Sequence, residues 1–383
     1  MKQLFTIKNI ICLPVLLLLV NVVIAQQPCN DEIIIAIKGK WAKHPDANMK
    51  AGNQVQITSR IDKMQQLLQA AYPEPKGIEA AWYRSMGGYN SSVSSTAESY
   101  VLDALFKTYY CNTSLKKLLL GSETSNWFYV WVNKFSWFAD KDDNFLVENK
   151  PIYLLTKKLG EINGFPLYAG NDNRSSNTGT TFSKTVLISR PGQLPYTPVS
   201  RKQYLLTFLK NNEDGQKSYV ESLLKMPVRS DAEEEAYKQQ QMERVVNREQ
   251  NEQTREKTRV NFLRGYKTAK QRQHDDINRV KEFYQRNIKA AQDYLTNTSG
   301  EELAKPAYLE NGYSSSFSAF ANEKDGLTMV QVNSNYFNNK LPAHAPQFLV
   351  VYWSWNTEKP SLDFASHIEN NFNFKALHAM LDK

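Results

Sequence analysis

The chain is poor in cysteine, with three in 383 residues, at positions 12, 29 and 111. Its five histidines contain no H-x-x-x-H pair, and the glycine-framed signatures G-x-S-x-G, G-x-x-x-x-G-K-S/T and G-x-G-x-x-G do not occur. Each absence removes a class of chemistry. With His44, His274, His344, His367 and His378 scattered and the cysteines far apart, a structural zinc site has no ligand set. The nucleophile elbow, the Walker-type phosphate cradle and the dinucleotide-binding turn are missing in their usual forms, and no cofactor or metal is called for. Past residue 25 no run is long and apolar enough for a transmembrane helix. Catalytic groups scattered along the chain leave no such trace, so these absences bear only on motif-borne activity.

What is present begins with a leader. Lys2 and Lys8 precede an apolar run over residues 10–20, closed by Val23-Ile24-Ala25. That order predicts a signal peptide cleaved after Ala25, and Pro14 inside the run argues against an uncleaved anchor. The expected location is therefore secreted or periplasmic. Cleavage leaves Cys29 and Cys111, and an oxidising compartment predicts a disulfide between them. It also lowers the formal charge from +8 to +6, which attracts anionic partners weakly.

The stretch 230–297 organises the rest. No proline lies between Pro227 and Pro306. Ser230 and Glu233 have capping-box spacing, and Asp231, Glu233, Glu234 and Glu235 load the first turn with negative charge. Residues 247–259 contain no apolar side chain, whereas Ile277, Val280, Tyr284, Ile288, Ala291 and Leu295 form one stripe able to dock. Lys267, Lys270, His274 and Lys281 spoil a sustained coiled-coil seam. The pattern predicts an inserted long helical arm, coiled-coil-like or folded into a hairpin near the polar tract or Gly265. Its cations Arg248, Arg255, Arg259, Lys267 and Lys270 are the candidate contacts for a protein or envelope-polymer partner. Interspersed Glu and Asp, with export, disfavour nucleic acid.

The body on either side reads as α+β, a mainly antiparallel sheet with flanking helices. Ile57, Ile61, Met64, Leu67, Leu68 and Ala71 predict a helix ended by Tyr72-Pro73-Glu74-Pro75. Val101, Leu102, Leu105, Phe106 and Tyr109 predict another over 100–110. The run 127–132, apolar on both faces, predicts a central strand, with further strands over 152–156, 165–169 and 182–189. Ser200 and Gln203 open a helix through Leu209, and a second is expected over 215–226. Strands over 327–332 and 346–355 and helices over 362–370 and 374–381 end the chain, the tail adding to the earlier sheet. The divisions are 1–25, 26–229, 230–297 and 298–383.

Two motifs read as structural. Asp140-Lys141-Asp142-Asp143-Asn144 opens like a calcium loop, but Phe145 stands where Gly is needed and Pro151 where a bidentate Glu belongs. It is expected as a charged turn. The tryptophan-rich strands could offer a stacking platform for sugars, but core packing is the stronger reading.

The stretches Leu194 to Leu206, Pro346-Gln347-Phe348 and Leu377 to Lys383 resemble signatures of a group of exported bacterial proteins without assigned function. The resemblance implies secretion and this layout, and carries over no catalytic residue. The functional expectation is an exported cell-envelope binding or scaffolding module. The alternative is an envelope hydrolase with scattered catalytic residues and the arm as lid or docking element.

Overall fold

A computed structural model describes residues 30–47, 49, 54–86, 97–112, 114–115, 117–135, 138–170, 174–176, 179–310 and 316–383. The leader and Cys29 lie outside these residues. The chain forms two interleaved units, one of Met1–Phe138, Lys158–Pro195 and Ser334–Lys383, the other of Ala139–Lys157 and Tyr196–Asn333. The fold is mixed α+β, and the described strands pair antiparallel apart from β1 (Trp41–Lys43) with β2 (Ile78–Met86).

In the first unit the described strands form a sheet ordered β1 (Trp41–Lys43), β2 (Ile78–Met86), β3 (Tyr100–Asn112), β5 (Trp127–Val132), β15 (Leu349–Trp355), β11 (Gly179–Ile188), β9 (Phe165–Ala169) and β8 (Lys158–Ile162). β4 (Lys117–Leu120) adds to β3 and β10 (Arg174–Ser176) to β11. β15 enters between β5 and β11 with every residue from Leu349 to Ser354 buried, as its two apolar faces require. One face of the sheet carries the core. Against it pack Ile57, Ile61, Met64 and Leu68 of α2 (Gln54–Ala71), Phe364 and Ile368 of α8 (Lys359–Asn371), and Phe374 and Leu377 of α9 (Phe374–His378). The short α1 (Asp31–Ala36) precedes β1.

The helix expected over 100–110 is instead the thirteen-residue strand β3. Its apolar residues fall on both faces, so spacing alone does not separate strand from helix. Pairing with β2 on one side and β5 on the other decides for strand, which suits its Tyr, Val, Phe and Thr content.

In the second unit β12 (Tyr196–Pro198), β14 (Leu327–Val332), β7 (Lys150–Leu155) and β6 (Ala139–Val147) form an antiparallel sheet, with β13 (Tyr308–Leu309) on β14. The acidic run at 140–144 is not a turn between strands but part of β6, which bulges between Asp142 and Leu146. The turn follows it, at Glu148-Asn149, both in the left-handed region (φ 52° and 62°). Two such residues match the twist of a tight hairpin, but a glutamate there carries a steric cost that asparagine largely avoids. Glu148→Asn is therefore expected to stabilise this unit by about 1 kcal/mol. The change gives up one exposed hydrogen bond from Gln203 Nε2 (3.0 Å). Thermal melting checks this, and an unchanged or lower Tm would mean that the lost Gln203 bond outweighs the relieved backbone strain.

The helices of this unit pack on its sheet through Tyr204, Leu205 and Phe208 of α3 (Arg201–Lys225), joined by Ile152, Leu154, Ala291, Phe317 and Met329. The two helices expected over 200–209 and 215–226 are one. Gly215 sits inside α3, where a Cβ would meet the Tyr284 ring at 3.0 Å, so glycine serves close packing rather than a break.

The stretch 230–297 is not a single rod. It runs as α4 (Asp231–Val246), α5 (Glu252–Gly265) and α6 (Ala269–Asn297), followed by α7 (Gly300–Ala304). The breaks are local chemistry. Asn251 caps α5 through Thr254 N–H, and Thr268 with Gln271 forms a capping box that restarts the chain as α6. The apolar stripe of α6 lies antiparallel along α3. Asn287 Nδ2 donates to Asn212 Oδ1 (3.2 Å) between the two helices, and Gln273 Nε2 reaches the Leu223 carbonyl (2.6 Å). Among the described residues no helix is long and apolar enough to cross a membrane.

Candidate functional site

The five arm cations do not converge. Arg248 is exposed just beyond α4. Arg255 on α5 meets Glu252 (3.5 Å) and donates to the Glu249 carbonyl (3.2 Å), and Arg259 pairs with Glu256. Lys267 pairs with Asp275 (2.5 Å) and Lys270 with Asp231 (3.0 Å). Four of the five are thus held by acids of the same helical region.

The hub of that region is a residue whose sequence context shows only first-turn charge. Glu234 of α4 is buried at 6% exposure and accepts a hydrogen bond from the Tyr266 hydroxyl. Arg229 (3.6 Å) and Arg272 (3.9 Å) flank it. The Tyr266 hydrogen bond, helped by the Ala269 amide and the two guanidiniums, holds this carboxyl below its usual range against the opposing effect of burial. A cleft of about 500 Å³ opens beside it, lined by cations and acids alike. The balance of charge makes Glu234 a clamp on α4, α5 and α6.

A different arrangement occurs on the sheet face of the first unit that lies opposite the core. Strand β5 alternates: Phe128, Val130 and Val132 are buried in the core, while Trp127, Tyr129 and Trp131 are half-buried on the other side. Their rings stack in succession along the strand. Trp127 and Tyr129 lie 5.8 Å apart at 10°, and Tyr129 and Trp131 lie 6.0 Å apart at 24°. Lys134 Nζ closes the column 4.3 Å over the Trp131 ring. The sugar-platform residues are therefore not wholly core, although Trp353, on the other face, is.

Beside this column stands Asp103. It is the register partner of Tyr129 on β5 and of Tyr83 on β2, within a cross-strand row continued by Tyr352 and Thr185. Asp103 is 5% exposed and makes no hydrogen bond or ion pair among the described residues. Burial pushes its carboxyl up to about 7, against the pull of Lys134. Burial also lowers the Lys134 ammonium, against the pull of Asp103, and raises the Tyr83 phenol, here with help from Asp103. The Trp131 Nε1–H is buried without an acceptor among the described residues. Near neutral pH the face therefore holds a carboxyl able to donate or accept a proton, next to a cation and aromatic rings.

No sequence motif marks Asp103 or Lys134. The available signal is a lone charge in the apolar run Tyr100-Val-Leu-Asp-Ala-Leu-Phe106, which only pairing on both sides buries. Cys111 lies near the end of the same strand, opposite Leu118, and its expected partner Cys29 falls outside the described residues. Among the described residues no cluster of three or more His, Cys, Asp or Glu is placed to hold a metal. No protein-family model, curated protein or solved structure matches the chain.

Proposed function

We propose that this is an exported cell-envelope binding protein whose ligand sits on the Asp103 face, the leader and a Cys29–Cys111 bond being part of that reading. The observation that carries it is an aspartate 5% exposed, with no hydrogen-bond partner among the described residues, on a face of half-buried aromatic rings. An unmet buried polar group is costly, and a ligand that donates to it recovers the cost. A glycan supplies hydroxyl donors for Asp103 and apolar C–H surfaces for Trp127 and Trp131.

A specific feature favours the hydrolase as second reading. A carboxyl near 7 is poised as a general acid. Cleavage of a glycosidic bond ordinarily calls for two carboxylates, and Asp103 is the only buried acid among the described residues of its unit. Binding therefore takes precedence over cleavage.

Calorimetric titration of the mature protein with envelope glycan fragments tests it. Wild type is expected to bind, and Asp103→Asn, folded by near-ultraviolet circular dichroism, to lose about tenfold or more, the size of one hydrogen bond to a charged group. No binding by any fragment, or equal affinity in the variant, overturns the reading. Release of reducing ends by wild type but not by Asp103→Asn moves it to the hydrolase.

A further inference from the structure

Helix α5 differs from its neighbours in burying none of its residues. At fourteen residues it is close to the length at which an isolated helix is marginal in water. Its inner side is held by contacts to the preceding turn, including Thr258 Oγ1 to Glu249 (3.2 Å), and by the Phe262 ring against Tyr266 (5.3 Å). Its outer side carries Val260 at 44% exposure, and three residues on, at the rim of the cleft beside Glu234, stands Leu263 at 45%. Exposed Lys257 and Arg264 flank them, and neither has an acidic partner among the described residues. From residue 257 to residue 272 the chain has six Lys or Arg and no Asp or Glu.

We propose that the outward face of α5, with the turn into α6, docks on an anionic lipid bilayer. The inference does not depend on the Asp103 face. Two features select this occupant. From residue 252 to residue 272 cations outnumber acids seven to two although the chain as a whole is only mildly basic, and two apolar side chains stand among the cations, at the depth where lipid headgroups meet acyl chains. The ion pairs of Lys267 with Asp275 and Lys270 with Asp231 are exposed, so they stabilise little and can exchange for lipid phosphates. A polyanion such as nucleic acid uses the cations but gives no role to Val260 and Leu263.

Co-sedimentation with vesicles decides the matter, using phosphatidylglycerol mixed equally with phosphatidylcholine beside phosphatidylcholine alone. Binding is expected only to the anionic vesicles, and it should weaken steeply with added salt. Each cation near such a surface contributes about fivefold, so the surface double variant Lys257→Gln/Arg264→Gln should bind roughly twentyfold more weakly. Leu263→Asp should weaken binding at least as much, and far-ultraviolet circular dichroism of both variants should match wild type. Equal binding to both vesicle types, no binding, or binding untouched by both variants would overturn the proposal. So would a dimer in vesicle-free solution that Leu263→Asp dissolves, which would give the patch to a second copy. Duplex DNA binding as tight as vesicle binding and indifferent to Leu263→Asp would reduce it to a general polyanion surface.

Discussion

Replacing Asp103 by asparagine is expected to abolish most of a stability loss that the wild-type protein suffers between pH 4 and pH 8. Burial raises this carboxyl from 3.8 to about 7. Between those values the folded chain keeps a proton that the unfolded chain has released, so rising pH favours unfolding. The contribution is intact below about 4, falls as pH rises, and is fully lost above about 7. At 1.36 kcal/mol per pH unit the loss is about 4 kcal/mol, a large part of the 5–15 kcal/mol that holds a typical domain together. Little screening reduces it, because Asp103 is 5% exposed. The asparagine amide brings unmet hydrogen bonds of about 1–3 kcal/mol, so the slope against pH is the diagnostic quantity rather than the absolute value. All seven tryptophans belong to the unit that contains Asp103, so denaturant unfolding followed by tryptophan fluorescence reads that unit. Parallel pH profiles for variant and wild type would show that Asp103 does not titrate in this range. The same substitution is expected to weaken ligand binding, because a site that holds an unpartnered acid gives up stability for recognition.

Two alanine substitutions on one helix should differ by several kcal/mol. Phe364 of α8 is fully buried, with its ring 4.1 Å from that of Phe106 on β3 and 6.0 Å from that of Tyr72. Phe364→Ala removes those contacts and leaves a cavity between α8 and the sheet, which costs about 3–5 kcal/mol. Leu362, two residues earlier, is 47% exposed, and Leu362→Ala should change stability by no more than about 0.5 kcal/mol. Chemical denaturation of the two variants at one pH provides the comparison. A Phe364→Ala cost below about 1 kcal/mol would mean that α8 does not carry this core.

The features behind these expectations differ in how far the sequence reveals them. Strands whose residues run apolar between turn signals are plain in it: the bounds of β5 and β9 match the expected 127–132 and 165–169. So are the caps at Ser200 and Ser230, because capping is a matter of three or four adjacent residues. β3 reads as a helix because its partners lie in β2 and β5, and only their hydrogen bonds favour an extended chain over a helix of the same composition. Gly215 looks like a break because the reason for a glycine is Tyr284, on another helix.

The functional residues divide in the same way. The sequence by itself determined the charge of the 230–297 stretch, its bare polar tract, its docking stripe and the α+β alternation around it, since each is a local pattern of side chains. Only the tertiary structure decided that four of the five candidate cations are paired with neighbouring acids and that Glu234 gathers Tyr266, Arg229 and Arg272. It also decided that Asp103 is enclosed among Tyr83, Tyr129 and Trp131, with Lys134 near. The physical reason is that a charge acquires its proton affinity and its partners from what surrounds it in space, and strands distant in sequence supply those surroundings.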